Sequence, residues 1–96
     1  MTLPWDVVAA RLGIPRDMVE REAVKDYLRA EVRRVDEKIF ALMLRYRVKT
    51  PEGLEEKIRR GEVEEHPSWE HLIEWEDMVT YRQKLLDLAL QMEATV

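Results

Sequence analysis

The chain contains no cysteine and no asparagine, and it has only three glycines among its 96 residues. Without cysteine it can form neither a disulfide nor a thiolate metal site, and it has no thiol nucleophile. Its longest apolar run covers residues 39–44, which is far too short to span a bilayer. The opening residues Met1-Thr2-Leu3-Pro4 have no basic segment and lead into no long apolar one. We therefore expect a cytoplasmic protein that does not insert into membranes.

Amides are rare while charged side chains are abundant. Glutamine occurs only at positions 83 and 91, beside 16 Lys+Arg and 20 Asp+Glu. This bias towards ion pairs and away from heat-labile amides is typical of thermophiles, so we predict a high-temperature source. At 46% hydrophobic residues the chain is too apolar for a disordered protein, and its length predicts one small domain.

The periodicity of the apolar residues predicts an all-α protein, because no alternating run of β-branched residues indicates a strand. Pro4, Gly13 and Pro67 are helix start and stop signals, and Thr50-Pro51 can begin a helix as N-cap and first residue. We predict one domain over residues 1–96, with a short N-terminal helix and turn (1–14), a long helix (15–47), a short helix (50–61) and a C-terminal helix (67–93). The expected fold is a helical hairpin with a long central helix, assembled as a dimeric helical bundle.

The long helix carries apolar residues at spacings of four and three, which is the heptad pattern of a helix packed along a partner. Residues 39–44 are also apolar on every side, so they must be enclosed on more than one flank. One short neighbouring helix cannot do this, and we therefore predict a homodimer. The predicted dimer interface consists of Leu28, Val32, Val35, Ile39, Phe40, Leu42, Met43 and Tyr46.

The second half of the chain is acidic. Residues 61–78 contain seven acids and neither Lys nor Arg, and two tryptophans lie among these acids. Acids beside aromatic anchors indicate an interface with a basic protein. Trp75 falls on the apolar stripe of its helix, so we expect it in the core and Trp69 at the surface. The predicted partner-binding residues are Trp69, Glu70, Glu74 and Asp77, of which the three acids are spaced to share a helix face.

A catalytic site and a metal site in this segment are both disfavoured. Ser68 lies between His66 and His71, but sequence neighbours rarely form a catalytic triad, since its members converge from different places. His66, Glu70, His71 and Glu74 could approach a metal, yet the paired Glu-x-x-His motifs of di-iron bundles are missing. We assign no catalytic residue, no metal ligand and no cofactor, and we expect a non-enzymatic protein.

The N-terminal helix pair offers an alternative function. Ala9, Gly13 and Val19 match the core positions of a helix-turn-helix, and the same segment is similar to the helix pair of ribbon-helix-helix proteins. A recognition helix should be basic, whereas Arg16 and Arg21 alternate with acids here, which disfavours DNA binding. The alternatives to a protein-binding module are thus a DNA-binding regulator and a purely structural helical dimer.

Four motifs resemble segments of small archaeal and bacterial proteins that are often regarded as antitoxins. They are Leu12-Gly13-Ile14-Pro15, the helix end Arg45-Tyr46-Arg47-Val48, the run from Glu52-Gly53-Leu54 to Gly61-Glu62, and Trp69-Glu70-His71-Leu72-Ile73-Glu74-Trp75-Glu76. Those proteins have glycine where Arg47 stands. The resemblance covers roughly residues 10–80. It implies an antitoxin-like role, with a small basic toxin, one that acts on RNA, as the partner.

Overall fold

The computed structural model describes the backbone of residues 3–94 and the side chains of residues 3–93. Four helices make up most of this part: α1 (Pro4–Leu12), α2 (Arg16–Tyr46), α3 (Pro51–Arg59) and α4 (Glu65–Ala94). No strand occurs between residues 3 and 94, so the all-α prediction is confirmed. Residues 1 and 2 of the predicted N-terminal segment, and 95 and 96 of the predicted domain, lie outside the described residues. None of the helices described combines the length and apolar content needed to cross a bilayer.

Local signals account for the helix boundaries. Pro4 is the first residue of α1, and Gly13 ends it at φ 67° while its N–H donates to the Ala9 carbonyl. Thr50 caps α3, since its hydroxyl accepts a hydrogen bond from the Gly53 N–H at 3.0 Å. At the start of α4 the His66-Pro67 bond is cis and both residues have non-helical dihedrals, so the regular helix follows Pro67.

Helices α2 and α4 form an antiparallel pair. The Tyr46 hydroxyl contacts Nδ1 of His71 at one end, and Asp36 pairs with Arg82 farther along. From the first of these contacts to the second, the residue number falls along α2 and rises along α4. The two helices therefore form a hairpin that α3 connects. The buried apolar core lies between these helices: Leu28, Val35, Leu42, Tyr46, Leu54, Ile58, Leu72, Trp75, Met78 and Leu85.

This packing corrects the role of the heptad seam. Leu28, Val35, Leu42 and Tyr46, which the spacing assigned to a dimer interface, are buried within a single chain. Their packing partner is α4, because the seam of α2 faces the apolar stripe of the returning helix. Three other predicted interface residues, Val32, Ile39 and Met43, pack partly buried against the same core. Of the predicted set, only Phe40 is largely exposed, at 56%.

The molecule is elongated, with principal extents of 60 × 24 × 21 Å and a radius of gyration of 19.3 Å. A compact domain of this length would have a radius of about 12–13 Å. The accessible surface is 7303 Å², whereas a compact monomer of this mass exposes about 5,800 Å². A layer of two long helices therefore exposes more surface than a compact domain of the same mass.

Candidate protein-binding face

The two tryptophans of α4 have opposite environments. Trp75 is 1% exposed and lies in the core, whereas Trp69 is 38% exposed. Six residues amount to about 600° of rotation along a helix, so the two rings point to different sides. The expectation that Trp75 is a core residue and Trp69 a surface residue is confirmed. Ile73, one turn beyond Trp69, is more exposed still at 59%.

Acids surround this exposed apolar pair. We define the acidic Trp69 face as Trp69, Glu70, Ile73, Glu74, Glu76 and Asp77, all of which are exposed side chains of α4. Trp69, Ile73 and Asp77 follow one another at four-residue spacing, and Glu70 and Glu74 form the adjacent row. The structure thus brings together all four predicted partner-binding residues. The predictions missed Ile73, although its position one turn after Trp69 was a usable signal.

The carboxylates of this face lack basic neighbours. Of the seven acids between residues 61 and 78, only Glu70 has an ion-pair partner among the described residues, the exposed His66 at 2.7 Å. In contrast, eight of the eleven acids in residues 3–60 have one: Asp6, Glu20, Glu22, Asp26, Glu31, Asp36, Glu55 and Glu56. The first half of the chain neutralises its acids internally, and the start of α4 does not.

Helix electrostatics explain only part of the acidic face. A helix N-terminus favours negative charge, but the effect fades beyond the first turn. Glu70 is close enough to the start of the regular helix to benefit, whereas Glu74 and Asp77 are not. Like charges three or four residues apart destabilise a helix by roughly 0.2–0.5 kcal/mol per pair. The internal structure therefore gives no reason for acids at these positions.

Farther along α4 the polar contacts are internal and tie it to α2. The Tyr81 hydroxyl donates to Oε2 of Glu31 at 2.6 Å, and Arg34 donates to both oxygens of the same carboxylate. The hydrogen bonds from Arg34 and then Tyr81 lower the pKa of Glu31 from 4.5 to about 2. The hydrogen bond that Arg82 donates to Asp36 raises the pKa of Arg82. These contacts fix the register of the hairpin.

Ser68 and the two histidines beside it do not form a catalytic triad. Nδ1 of His71 lies 2.5 Å from the Tyr46 hydroxyl, and Nδ1 of His66 lies 2.7 Å from Glu70. Ser68 is 2% exposed, and both histidines are engaged by other partners. Within the described part of the chain, no group of three or more His, Asp or Glu residues could hold a metal ion. His71 instead contacts Tyr46 where α2 and α4 meet. Lys57 donates a hydrogen bond to the Tyr46 carbonyl at the same place, at 2.8 Å.

The N-terminal helix pair uses its arginine internally. Ala9 is buried, as expected for the position that packs the two helices together. Nε of Arg16 lies 3.0 Å from Asp6, its guanidinium also pairs with Glu20, and its centre is 6.0 Å from the Trp5 ring. An arginine engaged on three sides is a poor candidate for phosphate contact. That the helix pair does not read DNA stays a prediction.

The model of the Uncharacterized protein MJ0235 family matches residues 1–96. The chain belongs to this family. No curated protein and no solved structure matches it. The match agrees with the expectation of a small protein from an uncharacterized family, and the antitoxin-like role remains a prediction.

Proposed function

We propose that this chain is a non-enzymatic protein-binding module that docks through its acidic Trp69 face onto a small basic protein, as an antitoxin would cover a basic toxin. The observation that carries the proposal is a set of carboxylates around two exposed apolar side chains, of which only Glu70 has an ion-pair partner among the described residues. Such a surface is costly for the isolated chain and suits a basic partner.

The two kinds of side chain would have different tasks in the complex. Trp69 and Ile73 supply apolar area, and tryptophan is among the residues that dominate measured binding energies. Glu74, Glu76 and Asp77 would draw a basic partner into encounter, an effect that weakens as salt screens the charges. A cytoplasmic location is part of this proposal.

We further propose that the module is a homodimer. The support is the surplus of exposed surface and the exposure of large apolar side chains outside the acidic Trp69 face. They include Val7, Val8, Leu12, Phe40, Leu44, Val79 and Leu90. Single exposed apolar residues are ordinary, but so many on an elongated hairpin indicate a covered surface.

The test is capture of the partner by the untagged protein from its own cells, followed by binding kinetics with the purified partner at two ionic strengths. The variant Glu70→Gln, Glu74→Gln, Asp77→Asn should keep its helicity and melt no lower than the parent. It should bind the partner more slowly and with a flatter salt dependence.

A matched control removes three acids elsewhere, with Asp17→Asn, Glu37→Gln and Glu52→Gln. Like Glu74 and Asp77, these side chains have no ion-pair partner within residues 3–93. Both variants remove three acids, so the change in net charge is the same. The control should bind as fast as the parent. Equal slowing by both variants would mean that net charge alone matters, and capture of no basic protein by the parent would contradict the proposal.

A further inference from the structure

A second face lies on the side of the hairpin where Asp36 meets Arg82; its Phe40 and Val79 are exposed and its other residues are half-buried. On α2, Val32 and Phe40 are one turn to either side of Asp36. On α4, Val79 and Leu86 flank Arg82 at three and four residues. The antiparallel register sets Phe40 level with Val79 at one end and Val32 level with Leu86 at the other. We call these six residues the Phe40–Val79 face.

The face has an ion pair at its centre and apolar side chains at both ends. Arg82 Nε lies 2.5 Å from Oδ1 of Asp36, and Nη2 lies 3.3 Å from Oδ2. The two side chains are still 39% and 46% exposed. Phe40 and Val79 are 56% and 46% exposed. Beside Phe40, an open groove of about 570 Å³ runs along α2 past Val32 and Asp36, and the charged Arg29, Arg33 and Glu37 also line it.

The surplus surface of the whole chain is large enough for one dimer interface. The accessible surface exceeds that of a compact monomer by about 1,500 Å², and a standard interface buries about 800 Å² on each partner. Two hairpins packed by these faces would form a four-helix bundle, the usual way for two-helix layers to enclose apolar side chains.

Charge decides between the two symmetric ways of stacking the faces. With the two-fold axis across the helices, α2 lies on α2 of the other chain and Asp36 meets Asp36. With the axis along the helices, α2 lies on α4 and each Asp36 meets Arg82 of the other chain. An isologous interface repeats its contacts, so the second arrangement joins four alternating charges. All neighbouring helices are then antiparallel.

We infer that the Phe40–Val79 face pairs with the same face of a second copy, with each Asp36 opposite Arg82 of the other chain. This rests on the proposed homodimer and assigns its surface and orientation. It is independent of the acidic Trp69 face, which stays on the outside of the bundle and available to another protein.

The first experiment uses charge reversal, with oligomeric state measured by sedimentation equilibrium at tens of micromolar. The parent should sediment as a dimer of 11.5 kDa chains. Asp36→Arg alone and Arg82→Asp alone should each be monomeric, because four like charges would meet at the centre. An equimolar mixture of the two variants should recover a dimer, although neither chain then has its internal ion pair. A mixture that stays monomeric, with both variants helical, overturns the assignment.

The second experiment compares two apolar side chains of similar exposure, Phe40 at 56% and Ile73 at 59%. Phe40→Glu should raise the dimer dissociation constant roughly thirtyfold or more, as expected for loss of an aromatic anchor that the dimer buries. Ile73→Glu is the control, since Ile73 is 59% exposed but lies on the acidic Trp69 face. It should remain dimeric. A monomeric parent, or dissociation by Ile73→Glu rather than Phe40→Glu, overturns the inference, while partner binding still tests the proposed function separately.

Orientation is read from engineered thiols, which are unique in a chain without cysteine. Mild oxidation of a mixture of Phe40→Cys and Val79→Cys chains should link one chain of each kind by a disulfide. Joining of Phe40→Cys to Val32→Cys instead would mean that the hairpins stack the other way and that the paired charges are misassigned.

Discussion

Arg47 holds a backbone conformation that suits glycine, and replacing it should stabilise the protein. It ends α2 at φ 54° and ψ 46°, where its N–H donates to the Met43 carbonyl. A left-handed conformation costs a residue with a Cβ roughly 1–2 kcal/mol. Within residues 3–93 the Arg47 side chain makes no hydrogen bond or ion pair that would offset this cost.

The expected gain for Arg47→Gly follows from two opposing terms. Relief of the left-handed strain is reduced by the greater freedom of glycine in the unfolded chain, about 0.5–1 kcal/mol. The net is a stabilisation of roughly 0.5–1 kcal/mol, which raises the melting temperature of a domain this size by about 2–8 °C. Thermal and urea unfolding measure it.

Two further variants separate the effect of the backbone conformation on stability from the effect of the arginine side chain. Arg47→Ala removes the guanidinium and keeps the Cβ, so it should not show the gain. Gly61→Ala places a Cβ at φ 72° with nothing within 4 Å of it, and should lose stability through strain alone. If Arg47→Gly melts no higher than Arg47→Ala, the turn is not strained and the reasoning is wrong.

Two other predictions concern the core and the pH dependence of stability. Leu54 is fully buried, so Leu54→Ala should cost roughly 2–5 kcal/mol, seen as a lower urea midpoint; a loss below 1 kcal/mol would contradict its place in the core. The folded-state pKa of Glu31 is lowered from 4.5 to about 2, so its contribution is present above pH 4.5 and is lost as the pH falls towards 2. Glu31→Gln should therefore melt below the parent at pH 7, with the gap closing across that range; a gap independent of pH would refute the assignment.

The helix boundaries were predictable because their signals are local. Pro4, Gly13 and the Thr50-Pro51 pair act within one turn of where they stand, and the observed caps coincide with them. The cis bond before Pro67 had no such signal, since a proline at a helix start does not itself indicate which isomer precedes it. The turn at Arg47 was also not evident in detail, because the residue type argues against the conformation that the chain adopts.

The partner of the heptad seam could not be read from the sequence. Spacing shows that Leu28, Val35 and Leu42 need a neighbouring helix, but it does not say which chain supplies it. The apolar stripe of α4 was also evident in the sequence. Only a short connection between α2 and α4 would have indicated that the two helices pair within one chain. At the candidate site the sequence placed the acids and the two tryptophans correctly, because one helix fixes their relative positions. Whether α2 supplied cations to those acids depended on the register of the hairpin, which only the structure reveals.

The uneven distribution of the core has a consequence for how the chain opens. The most deeply enclosed side chains, Val35, Leu54, Ser68 and Trp75, lie towards the end of the hairpin that α3 closes. At the other end of the hairpin, Leu12 of α1, Val24 of α2 and Leu90 of α4 are exposed. Backbone amides should therefore exchange with solvent fastest at the open end and slowest beside α3, because local unfolding begins where few apolar contacts oppose it. A protease that enters this protein would do so from the N-terminal helix, with the α3 junction the last part to separate.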